Sequence, residues 1–190
     1  TLTPQPQVSI VIEDQSTGHV VAMVGGRGQK TASRTLNRAT DAARQPGSTF
    51  KIVSTYLPAL DSAGLTLADV HMDEPYSYEG GRPVSNWYSG YRGICSLRDG
   101  IRDSLNIIAV KTLTQITPQL GFDYLQSLGF TTLVTDKVVG DEVYSDIQQS
   151  LALGGVTVGV YNQELTGAYA AIANGGVYNE PILYTKITDH

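Results

Sequence analysis

A single cysteine, Cys95, excludes an internal disulfide. A lone cysteine of this kind is expected to serve as a small apolar residue or a neutral surface position. His19, His71 and His190 lie too far apart in the chain to suggest a ligand cluster for zinc or iron, so neither metal nor cofactor is expected. No run of like charge stands out, and a net charge of −5 leaves no basic stripe, which argues against a nucleic-acid partner. No apolar stretch in residues 1–190 approaches the roughly 18–20 residues that span a bilayer, so neither a membrane span nor a signal peptide is expected within them. Gly-x-Ser-x-Gly is missing, and no histidine is placed for a serine triad. The abrupt start at Thr1-Leu2-Thr3-Pro4 reads as that of an excised piece, with room for an anchor upstream.

What remains is an ordinary globular composition. At 190 residues the chain is long enough for one domain with a real core, and its 20 glycines point to many tight turns. The β-branched run Val8 to Glu13, the turn Asp14 to Gly18 and the run His19 to Val24 predict a β-hairpin. Gly25-Gly26-Arg27-Gly28 comes next without Gly-Lys-Ser/Thr or a helix start, so it is a loop and not a phosphate cradle. Pro46-Gly47 then turns the chain into a helix from Ser48 to Leu57, with Phe50, Val53 and Leu57 at helical spacing and Pro58 and Gly64 marking its end.

Asp73 to Gly93, rich in Tyr, Gly and Pro, predicts loop wall with at most short structure. Its aromatic residues serve packing or ligand contact, and Trp87 is the candidate for the second role. Helices are expected over Leu97 to Asp103, Asn106 to Ile116, Thr117-Pro118 to Leu128, and Gln163 to Ala173, the last closed by Asn174-Gly175-Gly176. Pro181 to Thr188 reads as a strand. Strands with helices and no repeat make one α+β domain the simplest organisation.

Two small motifs carry chemistry. Ser48 and Lys51 stand three apart on a helix and share a face, with Ser48 in the first turn, where free N–H groups favour developing negative charge. A serine hydroxyl needs a base, and a lysine supplies one when burial lowers its pKa. Ser-x-x-Lys alone arises by chance about once in such a chain, as a helix cap and a solvated lysine. Ser104-Leu105-Asn106, between two predicted helices, adds a hydroxyl to relay a proton and an amide to hold a substrate carbonyl. By itself it too reads as a helix cap.

Together the two motifs resemble those of penicillin-binding proteins and serine β-lactamases. The resemblance extends through Arg44-Gln45-Pro46-Gly47-Ser48-Thr49-Phe50-Lys51, Tyr91-Arg92-Gly93, Leu97-Arg98 and Ser104-Leu105-Asn106-Ile107. Thr17-Gly18, Val24-Gly25-Gly26, Leu153-Gly154-Gly155 and Ala173-Asn174-Gly175-Gly176 fit it as well. It is specific to the class A, high-molecular-weight penicillin-binding proteins and covers essentially the whole chain. It implies the penicillin-binding transpeptidase fold, an antiparallel sheet with a helical subdomain, incomplete here at the C-terminus.

It further implies that Ser48 attacks the carbonyl of a D-Ala-D-Ala stem peptide or of a β-lactam antibiotic, with Lys51 as base. Ser104 and Asn106 would shuttle a proton and position substrate, beside Trp87, and the Ser48 N–H would form half of an oxyanion hole. The product would be cross-linked peptidoglycan, made at the outer face of the bacterial cytoplasmic membrane by a membrane-anchored parent.

The family's third motif, Lys-Thr-Gly or Lys-Ser-Gly, is absent. Lys30-Thr31-Ala32 and Lys111-Thr112-Leu113 lack the glycine and fall in the wrong order. The opening hairpin is therefore expected to lack strand neighbours. The chain is expected to be part of a domain, its remaining C-terminal part a partner supplied by the same protein or by a separate chain. The alternatives are a β-lactamase or D,D-carboxypeptidase, a β-lactam sensor or pseudo-enzyme, and an inactive fragment. Glu142 and Glu164 lack the Glu-x-x-Leu-Asn setting of a β-lactamase.

Overall fold

In the computed structural model, which describes residues 5–30 and 32–188, helices and short antiparallel strands alternate along the chain. Thr1–Pro4 and His190 lie outside the described residues. The strands are β1 (Ile10–Asp14), β2 (His19–Val24), β3 (Val70–Asp73), β4 (Tyr76–Ser77), β5 (Pro83–Val84), β6 (Gly93–Ser96), β7 (Lys137–Val139) and β8 (Glu142–Tyr144). The helices are α1 (Leu57–Asp61), α2 (Leu97–Arg102), α3 (Asn106–Ile116), α4 (Pro118–Ser127) and α5 (Asn162–Ala173). Each strand pairs with a single antiparallel neighbour, β1 with β2, β3 with β6, β4 with β5 and β7 with β8.

The chain divides into two compact units. One comprises Thr1–Arg44, Leu128–Thr132 and Val160–His190, the other Gln45–Ser127 and Leu133–Gly159. In the first, the Asp14 carboxylate accepts from the Ser16 N–H and hydroxyl, and Gly18 takes a positive φ, which closes the β1–β2 turn. Helix α5 packs on β1, while Ile10, Ile12, Val21 and Val24 stay exposed. The Glu13 carboxylate oxygens are buried without a partner among the described residues, and desolvation pushes this acid's pKa up. The expected strand over Pro181 to Thr188 is not formed. Only Ile182 bridges to the hairpin, exchanging bonds with Gly18 and Val20. Pro181 has no N–H to extend the ladder, and no strand among the described residues pairs with positions 183–188.

The second unit is built around α3. Its residues Ile107, Ile108, Ala109, Val110, Thr112, Leu113 and Ile116 are all buried, a broad apolar face that leaves Lys111, Thr114 and Gln115 toward the outside. Phe50, Val53, Leu97, Leu105, Phe122, Leu125 and Leu151 complete the core. Cys95 is buried against Leu105 and Ile108 and so takes the apolar role open to it.

The helix beginning at Ser48 does not stop at Pro58. It opens with a 3-10 turn (Gly47–Thr49), widens into a π-helical stretch (Ile52–Tyr56) and continues as α1. The Leu57 N–H donates to the Ile52 carbonyl, five residues back, so the register has already slipped when Pro58 arrives without an N–H. The β3–β6 pair, registering Val70 with Ser96 and Asp73 with Gly93, frames a segment expected to be loop wall.

Candidate active site

The five residues named from sequence, Ser48, Lys51, Trp87, Ser104 and Asn106, lie in the second unit, and three of them meet directly. Lys51 Nζ donates to the Ser104 carbonyl oxygen at 2.7 Å, to Ser104 Oγ at 2.9 Å and to Asn106 Oδ1 at 2.6 Å. All three ammonium protons are thus held, although Lys51 is only 2% exposed. Burial disfavours its charged form and pushes the pKa down from 10.5 to about 8.

Ser48 sits one turn earlier on the same helix, with its side chain exposed. Ser48 stands three positions before Lys51, in the 3-10 turn Gly47–Thr49 that opens the helix, and the bonds of Lys51 Nζ run to Ser104 and Asn106 and not to Ser48. Its N–H lies in the first turn, where no intrahelical acceptor exists. The turn is anchored from outside. Gln45 exchanges two amide bonds with the backbone of Val156, and Gly154 closes on Gly47. A cleft of about 550 Å3 opens here, lined by Gly47, Tyr78, Arg82, Ser85, Gly154 and Gly155 among others.

Ser104 reaches Lys51 through an unusual backbone. Helix α2 begins with a reciprocal Ser96–Asp99 capping box. It ends with Leu105 N–H bonded to Gly100 O and Ser104 N–H to Ile101 O, the bond pattern of a Schellman motif. Ser104 occupies the left-handed position usually given to glycine, at φ 53°. That turn sends both its carbonyl and its hydroxyl toward Lys51.

Neither Ser104 nor Asn106 caps α3, so the alternative reading of that motif as a mere helix cap does not hold. The N-cap position is Leu105, which has no side-chain acceptor. The acceptor comes instead from Asn86, whose Oδ1 takes the N–H groups of Asn106 at 2.9 Å and Ile107 at 3.3 Å. Its neighbour Ser85 accepts from Asn106 Nδ2 at 2.7 Å. Behind Asn86 lies Asp73, 1% exposed, which also accepts from the Tyr88 hydroxyl and the Arg92 N–H. The tyrosine's pKa is driven up by desolvation and by that carboxylate. None of Asp73, Asn86 and Tyr88 was singled out for the site from sequence. The available signal was that a leucine precedes Asn106, leaving α3 in need of an outside acceptor.

Trp87 is 69% exposed yet fixed. Its Nε1–H donates to the Asp103 carbonyl, next to Ser104, at 2.9 Å. Its ring meets Tyr88 edge-on at 5.3 Å, and the Arg92 guanidinium lies 5.9 Å from the ring centre. Among the described residues no cluster of His, Cys, Asp or Glu is placed to hold a metal. No helix among them is long and apolar enough to cross a membrane.

The sequence profile of the penicillin binding protein transpeptidase domain matches residues 8–190. Among curated proteins the chain is 34% identical to penicillin-binding protein 1A of Streptococcus pneumoniae, over 95% of this chain and 25% of that protein. It is 36% identical to penicillin-binding protein 1F of Bacillus subtilis, over 95% of this chain and 23% of that protein. The fold matches the crystal structure of penicillin-binding protein 1A from Haemophilus influenzae with a TM-score of 0.75 and 29% identity, over 93% of this chain and 25% of that one. The chain therefore spans about a quarter of the length of these relatives.

Proposed function

The chain belongs to the penicillin-binding protein transpeptidase domain family, and from that premise we propose that it carries the acylating centre of a serine D,D-transpeptidase that cross-links peptidoglycan. Neutral Lys51 removes the Ser48 proton as Oγ attacks the carbonyl of a D-Ala-D-Ala stem peptide. The peptide C–N bond breaks, the proton passes by way of Ser104 to the departing D-alanine nitrogen, and an ester remains on Ser48. An amine from a second stem peptide displaces that ester and regenerates the hydroxyl. A β-lactam takes the first half of this course, its ring amide opening onto Ser48. Asn106 and Trp87 orient the substrate, and the Ser48 N–H faces the oxyanion.

The observation that carries the reading is the buried Lys51 ammonium held by Ser104 and Asn106, with its pKa lowered toward neutrality. A hydrolytic variant is less well supported. Glu142 lies on an exposed hairpin bonded to Tyr144, and Glu164 is engaged by Thr131. The Lys-Thr-Gly element has no counterpart in residues 1–190, so the reading includes a further segment that supplies it, from the same protein or a separate chain. The exposed Ile10, Ile12, Val21 and Val24 of the β1–β2 hairpin are consistent with that. The reaction would take place outside the cytoplasmic membrane.

The test is intact mass of the full-length protein after incubation with a fluorescent penicillin. One adduct mapping to Ser48 and lost in Ser48→Ala is expected. Labelling that persists in Ser48→Ala would remove the nucleophile assignment.

A further inference from the structure

We propose that Asn86 is the positioning residue of this site, setting Asn106 and through it Lys51; the inference rests on the function proposed above. Helix α3 begins at Asn106 with no local cap, because Leu105 has no side-chain acceptor. The Asn106 side chain is committed elsewhere, its oxygen to Lys51 and its nitrogen to the Ser85 carbonyl. The first two helical N–H groups are left to an outside acceptor, and Asn86 Oδ1 takes both. Ser85 and Asn86 therefore grip one residue twice, by its main chain and by its amide.

Asn86 is itself fully committed. Its Nδ2 donates to Asp73 Oδ1 at 2.7 Å and to the Tyr88 hydroxyl at 2.8 Å. With two bonds accepted and two donated, the amide has one orientation, and a flip would set donors against donors. Asp73 is a buried carboxylate satisfied by Asn86, Tyr88 and the Arg92 N–H, so its charge strengthens the bond that fixes Asn86. The chain of contacts runs from Asp73 to Asn86, to the start of α3, to Asn106 Oδ1 and to the Lys51 ammonium. Asn86 makes no bond to Lys51, Ser48 or Ser104, which is why it positions the chemistry and does not perform it.

The test compares acylation by a fluorescent penicillin in full-length protein, per folded molecule and well below the melting temperature. Asn86→Ala should slow acylation about ten- to a hundredfold, the usual cost of losing a group that orients a reacting one. In an Asn106→Ala background the same change should cost less than about twofold, since the group it positions is gone. The acid limb of its pH–rate profile should move to lower pH. A freed Asn106 amide withdraws one of the three acceptors that stabilise the Lys51 ammonium, and no carboxylate or second cation is bonded to Lys51.

If Asn86→Ala does not fold, Tyr88→Phe removes one bond to the same amide. It should slow acylation about two- to tenfold with the same dependence on Asn106. Equal losses in both backgrounds, an unmoved or alkaline-shifted limb, or a lowered melting temperature with an unchanged rate would overturn the proposal. Ser48→Ala is run alongside. Labelling that survives it removes the underlying function, whereas labelling lost there with Asn86→Ala acylating normally removes this inference alone.

Discussion

The backbones of Gly154 and Gly47 meet so closely that a Cβ on Gly154 would stand 2.5 Å from the Gly47 carbonyl oxygen and 2.6 Å from its nitrogen. Gly154 also has φ 74°, where side chains are strained. The turn that carries Ser48 is thus shaped by a residue more than a hundred positions away. Gly154→Ala should destabilise the protein by about 1–3 kcal/mol and slow acylation up to about a hundredfold by shifting Ser48. Denaturant unfolding and penicillin labelling of the same sample check both. A destabilised variant acylating at the wild-type rate would show that the Ser48 turn does not depend on Gly154.

On the proposed mechanism Lys51 sets the pH dependence. Below a pKa of about 8 the base is protonated and idle, so acylation should rise with pH and level off above that value. Stability tracks the same residue. Its folded pKa lies below its unfolded value of 10.5, so between these values the unfolded chain binds more protons and folding gains stability as pH rises. Lys51→Ala should slow acylation roughly 10²–10⁴-fold and abolish the acid limb. A profile flat from pH 6 to 10 in the parent would move the base elsewhere.

Legibility in the sequence depended on locality. Helix α3 starts and ends where its apolar spacing places it, and α2, α4 and α5 lie within a residue or two of expectation. A helix is specified by neighbours three and four positions away. The β3–β6 pair was missed because Val70–Asp73 is short and mixed in polarity, and its partner lies twenty residues on. Of the two end signals, Pro58 did not stop the helix, because a proline does so only where the i−4 register holds and a π-helical stretch had already broken it; the helix ends at Asp61, short of Gly64. The strand expected after Pro181 failed for want of a ladder.

The candidate site divides in the same way. Ser48, Lys51, Ser104 and Asn106 could be nominated from sequence because each sits in a short motif with its own chemistry, and of these the structure brings Lys51, Ser104 and Asn106 within hydrogen-bond reach. Asp73, Asn86 and Tyr88 were not, because their partnership depends on a loop folding back across α3. No spacing rule anticipates that. The left-handed backbone at Ser104 was equally hidden, since sequence favours glycine there.

Trp87 offers a test of binding separate from chemistry. Its indole is held by the Asp103 carbonyl and packed edge-on against Tyr88, so it presents an ordered aromatic face at little entropic cost. Trp87→Ala should raise the penicillin concentration for half-maximal acylation about three- to thirtyfold, with the saturated rate within about threefold of the parent. Folding stability should change by no more than about 1 kcal/mol, because the ring is largely exposed. Stopped-flow labelling across a concentration series separates the two constants. A change confined to the saturated rate would make Trp87 part of the proton pathway instead of the substrate wall.

Ser104 tests whether strain at this site is retained for function. A non-glycine residue at φ 53° carries roughly 1 kcal/mol of conformational cost. Ser104→Gly removes that cost and keeps the carbonyl bonded to Lys51, while deleting the hydroxyl 2.9 Å from Nζ. The lost hydroxyl bond to buried Lys51 costs Ser104→Gly and Ser104→Ala alike, and the glycine's freer unfolded chain offsets part of the relief, so relative to Ser104→Ala stability should stay level or rise by up to about 1 kcal/mol. Acylation should nonetheless fall about 10²-fold or more if the hydroxyl relays the proton to the leaving nitrogen. Ser104→Ala should lose the same activity without the gain in stability, which isolates the backbone term. If Ser104→Gly acylates like the parent, the relay passes through some other group. If it is less stable than Ser104→Ala, the left-handed turn is not where the strain lies.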